Sequence, residues 1–173
     1  TSHSYQEHDG HMRPTSRGEM KLKSNKHDDE PSIQLNYIQT EHDLNEMRDG
    51  IEIARDIFNQ RAFDEYRGKE LSPGIQEKSK ESINEFIRNK GDTAYHPSCT
   101  CKMGNDESSV VNEELKVYGI DKLRVVDASI MPNIITGNLN AATVMIAEKA
   151  SDLILKRSPL ELEEHNFYRA NYN

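Results

Sequence analysis

The sequence has no tryptophan and only two cysteines, Cys99 and Cys101, among its 173 residues. Two thiols one residue apart cannot make the disulfide framework of a small secreted domain. No apolar run approaches the roughly 18 residues of a membrane span. No signal-peptide pattern opens the chain, so the expected location is the cytoplasm or, peripherally, the inner face of a membrane. Apolar supply is thin: hydrophobic residues make up 34%, charged residues 30%, and mean hydropathy is -0.87. That is little from which to build an independent core of this length. Positive charge is in deficit, with 22 Lys and Arg against 30 Asp and Glu, a net charge of -8. Such a balance repels phosphate and argues against a general nucleic-acid binder.

What is present is unevenly spread. Residues 1–30 are almost wholly polar, with His3, His8, His11 and His27 among Asp, Ser and Lys, whereas residues 104–156 hold most of the apolar density. A polar start without Met that runs straight into strand-like sequence leads us to expect a chain that begins partway through a larger protein.

Glu19-Met20-Lys21-Leu22-Lys23 alternates with the period of a half-buried strand, and Ile33, Leu35 and Tyr37 repeat the pattern beyond a turn signal at residues 26–31. Two short strands around one loop pair most simply as antiparallel neighbours. Thr40 followed by Asp43 reads as a helix N-cap with an acidic first turn. Leu44, Met47, Ile51, Ala54 and Phe58 then recur at helical spacing, which predicts an amphipathic helix from Glu41 to about Asn59. A shorter helix is expected after Ser79, burying Ile83, Phe86 and Ile87 and stopping at Gly91 as a left-handed cap. Leu123-Arg124-Val125-Val126-Asp127 reads as a buried strand ending in an acid, and Met131 through Gly137 as a loop. From about Asn140 to Lys156 the chain is apolar on nearly every face, the mark of a helix buried on several sides. This chain alone has little to bury it with.

Three positions stand out chemically. Pro97 disfavours a helical conformation at His96, and Ser98 and Thr100 can hydrogen-bond the backbone and hold a loop in one shape. A rigid loop presenting an imidazole suits a general base; an ordinary loop histidine is the plainer reading. The order strand, Asp127, loop, Gly137-Asn138-Leu139-Asn140, long helix places Asn138 or Asn140 at a helix N-terminus. Either asparagine can cap the helix, and the same N-terminus can face an anionic ligand atom. Asp127 sits where strand ends bind ligands in open sheets, or simply starts a turn. His96, Cys99 and Cys101 do not make a zinc site, because C-x-C brings the thiols too close and a fourth ligand is missing. No metal is expected.

Taken together, Tyr95 through Gly104, Val117-Tyr118-Gly119, Leu123 through Ser129, Pro132 and Gly137 through Ala150 resemble the C-terminal part of the glucose–methanol–choline oxidoreductases. The similarity runs from about Arg13-Pro14-Thr15-Ser16-Arg17-Gly18 to about Leu155. The stretch Arg67 through Gly74 and the His96-Pro97-Ser98-Cys99 block resemble the choline-oxidising members. The resemblance implies an FAD-dependent enzyme acting on an alcohol, choline by this likeness, and forming betaine aldehyde in glycine betaine synthesis. The rival expectations are another alcohol substrate, or a half-domain that has lost its flavin. The family's G-x-G-x-x-G loop for the FAD pyrophosphate is not in this chain, whose nine glycines are dispersed. The implied partner is therefore a missing N-terminal FAD-binding half, without which the chain is expected to be inactive.

The implied fold class is mixed: part of an antiparallel substrate-domain sheet with helices, plus the last strand and buried helix of a Rossmann-like FAD domain. The implied divisions are a polar segment over 1–11, a substrate-domain portion over 12–103, a return to the FAD domain over 104–157, and a polar tail over 158–173. By the family pattern His96 handles the alcohol proton and Asn140 is the second active-site residue. Asp127 and Ala128 pass the ribityl and phosphate chain of the flavin. Asn138, Asn140, Ala141 and Thr143 belong to the helix start facing its pyrimidine ring. Tyr95 is a candidate wall of the substrate pocket, where an aromatic face attracts a quaternary ammonium; a packing tyrosine is the alternative.

Overall fold

The computed structural model describes residues 4–158, 160, 161 and 163; most of the expected polar tail lies outside them. The architecture is a small α+β arrangement in which a two-stranded antiparallel sheet is followed by helices. Strands β1 (Glu19–Lys21) and β2 (Ser32–Gln34) pair in the register Glu19↔Gln34, Met20↔Ile33 and Lys21↔Ser32. The expected hairpin is present. Its faces are not half-buried, however: Met20 is 55% and Ile33 60% exposed. A Cβ on Gly18 would lie 2.4 Å from the Gln34 carbonyl oxygen, so the absence of a side chain there lets the two backbones approach.

Helix α1 (Glu41–Phe58) starts where its sequence signal places it, with the Thr40 hydroxyl accepting from the Asp43 N–H at 3.2 Å. Helix α2 (Lys80–Lys90) is capped in the same way by Ser79. The stripes of the two helices meet in a cluster of buried Leu44, Ile83 and Ile87, flanked by Ile38, Met47, Ile51 and Phe86. Gly91 ends α2 without adopting the expected left-handed conformation, since its φ is -59° and its ψ 136°. Glycine is required there for space: a Cβ would lie 2.7 Å from the Ile87 carbonyl oxygen and 3.1 Å from Ile38 Cδ1.

A second cluster gathers Val111, Leu115, Ile130 and Ala150, with Met103, Val110, Val117, Val125, Val126 and Ile146 against it. Here the expected strand over 123–127 does not form. Among the described residues its one bridge is Lys116↔Arg124, with Val117 N–H donating to the Leu123 carbonyl and Val125 N–H to that of Leu115. Leu115 and Lys122 have left-handed backbones (φ 64° and 62°), and these kinks stop the pairing from extending into a ladder. Helix α3 (Leu139–Leu155) has the expected apolar composition but buries only Leu139 and Ala150, leaving Val144, Met145, Ile154 and Leu155 more than half exposed. No helix among the described residues is long and apolar enough to cross a membrane.

Candidate active site

His96 lies on the exposed segment between α2 and the second cluster. Two left-handed residues bracket it, Tyr95 at φ 58° and Cys99 at φ 71°. Non-glycine residues in that region cost energy and persist where surrounding contacts over-determine them. Those contacts are visible. Tyr95 N–H donates to Thr93 Oγ1 at 3.0 Å. Beyond His96, the N–H groups of Cys99, Cys101 and Met103 donate in turn to the carbonyls of Ala128, Ser129 and Ile130 at 3.3, 2.9 and 2.8 Å. The histidine loop is thus stitched by backbone bonds to the segment that follows Asp127.

Asp127 itself starts a turn. Its Oδ1 accepts from the Ser129 N–H at 2.7 Å and caps the short 3-10 turn Ala128–Ile130. The 3-10 turn packs against α3, so the loop of His96, the Asp127–Ala128 segment and the last helix form one layer. At the head of α3, Asn138 occupies the cap position but its side chain makes no capping bond. Asn140 is the second residue inside the helix, exposed, and so does not cap it. The first-turn N–H groups are therefore uncovered by a side chain and carry the positive end of the helix dipole. Ala141 is exposed beside them. Thr143 turns its hydroxyl back onto the Leu139 carbonyl at 2.9 Å. Tyr95 is 77% exposed among the described residues.

This donor set fits a flavin. Uncapped helix N–H groups and the free amide of Asn140 suit the acceptor edge of the pyrimidine ring, and the exposed apolar flank of α3 suits a covered interior. Cys99 and Cys101 are half-buried and not joined in a disulfide, and among the described residues no group of His, Cys, Asp or Glu is placed to hold a metal.

Four residues without a role in the sequence reading join this layer. Arg13 donates to Thr136 and Arg17 to Asn133, and a cavity of about 200 Å³ lies between the two segments, lined by Arg13, Pro14, Thr15, Arg17, Asn133 and Ile134. Both arginines fall in the Arg13–Gly18 block that opens the family resemblance, the one signal that could have singled them out. A larger cavity of about 370 Å³, lined among others by Asp9, His11, Glu46 and Asp49, includes none of the candidate residues.

The fold is shared with oxidoreductases of known structure. It matches pyridoxine 4-oxidase from Mesorbium loti with a TM-score of 0.79 and 34% identity, over 86% of this chain and 29% of that one. It matches a formate oxidase of Aspergillus oryzae RIB40, solved to follow FAD modification, at 0.78 and 31%, over 84% and 26%. A fungal aryl-alcohol oxidase matches at 0.73 and 27%, over 84% and 24%. The family model described as GMC oxidoreductase matches residues 14–147. The chain belongs to the GMC oxidoreductase family. Among curated relatives, the oxygen-dependent choline dehydrogenase of Pectobacterium carotovorum subsp. carotovorum (strain PC1) is 52% identical over 166 residues, 96% of this chain and 30% of that protein. That of Pseudomonas fluorescens (strain SBW25) is 54% identical over 168 residues, 97% and 30%. The chain spans about 30% of the length of these relatives.

Proposed function

We propose that this chain carries the catalytic end of an FAD-dependent enzyme that oxidises an alcohol, choline being the substrate, and that a separate N-terminal portion supplies the dinucleotide-binding loop. The observation that carries this reading is the backbone ladder from residues 99–103 to residues 128–130, which ties the segment after His96 to the 3-10 turn that packs on α3. The likeness to choline dehydrogenases over nearly the whole chain supports the substrate. We assign residues 12–103 to the substrate-binding part and 104–157 to the return into a Rossmann-like FAD domain; the two separate apolar clusters and the exposed flank of α3 support that division.

Each group then has a task. His96 takes the hydroxyl proton, help typically worth about 10²–10⁴-fold. The Asn140 amide donates to the alcohol oxygen and sets its direction. The uncapped start of α3, from Asn138 to Thr143, directs positive potential at the flavin's pyrimidine edge, as an oxyanion hole does. Asp127 and Ala128 would line the ribityl and phosphate chain of bound FAD. Tyr95 offers its exposed ring to the quaternary ammonium. Bound FAD supplies the acceptor for the hydride that leaves the alcohol carbon.

The test is to join the chain to the N-terminal FAD-binding half and follow the flavin spectrum. Bleaching by choline is expected, with betaine aldehyde as product and with no bound flavin in the 173-residue chain alone. A joined protein that binds no flavin, or whose flavin no alcohol reduces, overturns the reading. The structural likeness to pyridoxine 4-oxidase and aryl-alcohol oxidase favours one second reading, a different alcohol. Bleaching by such an alcohol but not by choline would select it.

A further inference from the structure

We infer that Arg13 and Arg17 are positioning residues that brace the loop in front of α3 and so determine where Asn140 points. The inference rests on the reading of Asn140 as an active-site amide. Arg13 Nε donates to Thr136 Oγ1 at 2.6 Å, and Arg17 Nη2 donates to Asn133 Oδ1 at 2.9 Å, across 123 and 116 positions of sequence. Arg17 is itself held, because Nη1 donates to the carbonyls of Pro14 at 2.8 Å and Ser16 at 3.0 Å. Behind it, the N–H groups of Thr15 and Ser16 donate to the Asp43 carboxylate at 2.7 and 2.9 Å. An unbroken series of hydrogen bonds therefore runs from the start of α1, through residues 13–17, to the loop that feeds α3.

The loop needs such a brace. Met131 and Leu139 are buried and anchor its two ends, but Pro132, Asn133 and Thr136 between them are exposed. Gly137, at φ 131°, is the flexible joint directly before the helix. The arginine ion pairs of the described residues belong to Arg48, Arg55 and Arg67. Arg13 and Arg17 instead direct donors at neutral acceptors on the loop. A planar fork with several donors is pre-organised to hold its own segment and a distant loop at once, as Arg17 does.

The test uses the full-length holoenzyme with Arg13→Met and Arg17→Met, which keep most of the apolar stem, and with Asn133→Leu and Thr136→Val, which remove the acceptors. A misplacement of about 1 Å costs on the order of 10²-fold in rate, so turnover should fall by about 10-fold or more. KM, flavin content and the pH profile should change little. The pair Arg17→Met with Asn133→Leu should be no worse than either alone, since each breaks the same contact. Amide hydrogen exchange over the first hydrogen-bonded turn of α3, residues 143–146, should quicken in every variant, with or without substrate. Unchanged exchange refutes the brace and leaves the role of Asn140 untouched. Faster exchange with unchanged turnover refutes positioning and leaves the role of Asn140 untouched. Additive losses in the paired variant refute an action of Arg17 through Asn133. A wild-type enzyme whose flavin no alcohol reduces marks failure of the functional reading instead.

Discussion

Asp43 is fully buried, and its carboxylate is a knot that ties the N-terminal segment to α1. Oδ1 accepts from Thr15 N–H at 2.7 Å and Thr15 Oγ1 at 2.8 Å, and Oδ2 accepts from Ser16 N–H at 2.9 Å. Replace it with asparagine. One oxygen survives and can keep both Thr15 bonds, now as neutral ones. The new amide nitrogen faces the Ser16 N–H, donor against donor. A bond to a charged acceptor contributes about 1.5–3 kcal/mol and one to a neutral acceptor about half that; a buried donor left unpaired costs about 1–3 kcal/mol. Asp43→Asn should therefore destabilise the fold by about 3 kcal/mol. That lowers the thermal midpoint by roughly 6–12 °C at this size.

Protonation should imitate the substitution. Burial alone would raise the Asp43 carboxyl, but the hydrogen bonds from Ser16 and Thr15 outweigh it and hold it well below the usual carboxylate range. A lowered folded pKa means that the unfolded chain binds the proton first. The stabilisation is complete above the unfolded carboxyl value, about 4, and is lost as pH falls below it. Melting curves of wild type and Asp43→Asn, followed by circular dichroism, should lie far apart at pH 7 and converge as the pH drops below about 4. A loss under about 1 kcal/mol at pH 7, or a gap that does not narrow in acid, would show that the carboxylate is not the knot described.

In the joined enzyme, His96→Ala should lower turnover by at least about 10²-fold with little change in flavin content; a loss under tenfold reduces His96 to an ordinary loop residue. Asn140→Asp should melt near the wild-type temperature, because Asn140 does not cap α3 and an acid in the first turn suits the dipole. Its carboxylate should nevertheless slow flavin reduction and lower the flavin potential by like-charge repulsion, and stopped-flow reduction at the wild-type rate would remove Asn140 from the active site. Gly91→Ala puts a Cβ 2.7 Å from the Ile87 carbonyl oxygen and should cost about 1–3 kcal/mol; an unchanged melting curve would show that this corner yields freely.

What was legible in the sequence follows the range of the forces involved. Helices α1 and α2 were readable because their caps and apolar stripes lie within a few residues of each other. The strand expected over 123–127 depends on a partner, and the kink at Leu115 that spoils the partner has no strong local signal. Gly91 was rightly marked as a helix end, but what makes glycine necessary is the Ile38 side chain, 53 positions away in sequence, together with the Ile87 carbonyl. His96, Asn138, Asn140 and Asp127 stood out from the local sequence, and the family pattern then implied their roles. The local geometry then made Asn138 the cap position and Asp127 the cap of a 3-10 turn. Arg13 and Arg17 stayed silent because their acceptors lie more than 110 positions away.

The stitching between residues 99–103 and 128–130 uses main-chain atoms alone. Its register is therefore indifferent to which side chains stand at Cys99, Cys101 and Met103, and also to most of those at Ala128, Ser129 and Ile130. A mutational scan should find Cys99, Cys101 and Ser129 permissive toward side-chain chemistry, unlike Met103 and Ile130, whose side chains pack in the second apolar cluster, and the donor positions intolerant of one residue above all. Proline at 99, 101 or 103 deletes the N–H that holds a stitch, and glycine at 99 relieves the left-handed backbone without loosening it. The place of the histidine is thus written in the main chain that follows it, not in the side chains of the stitched positions.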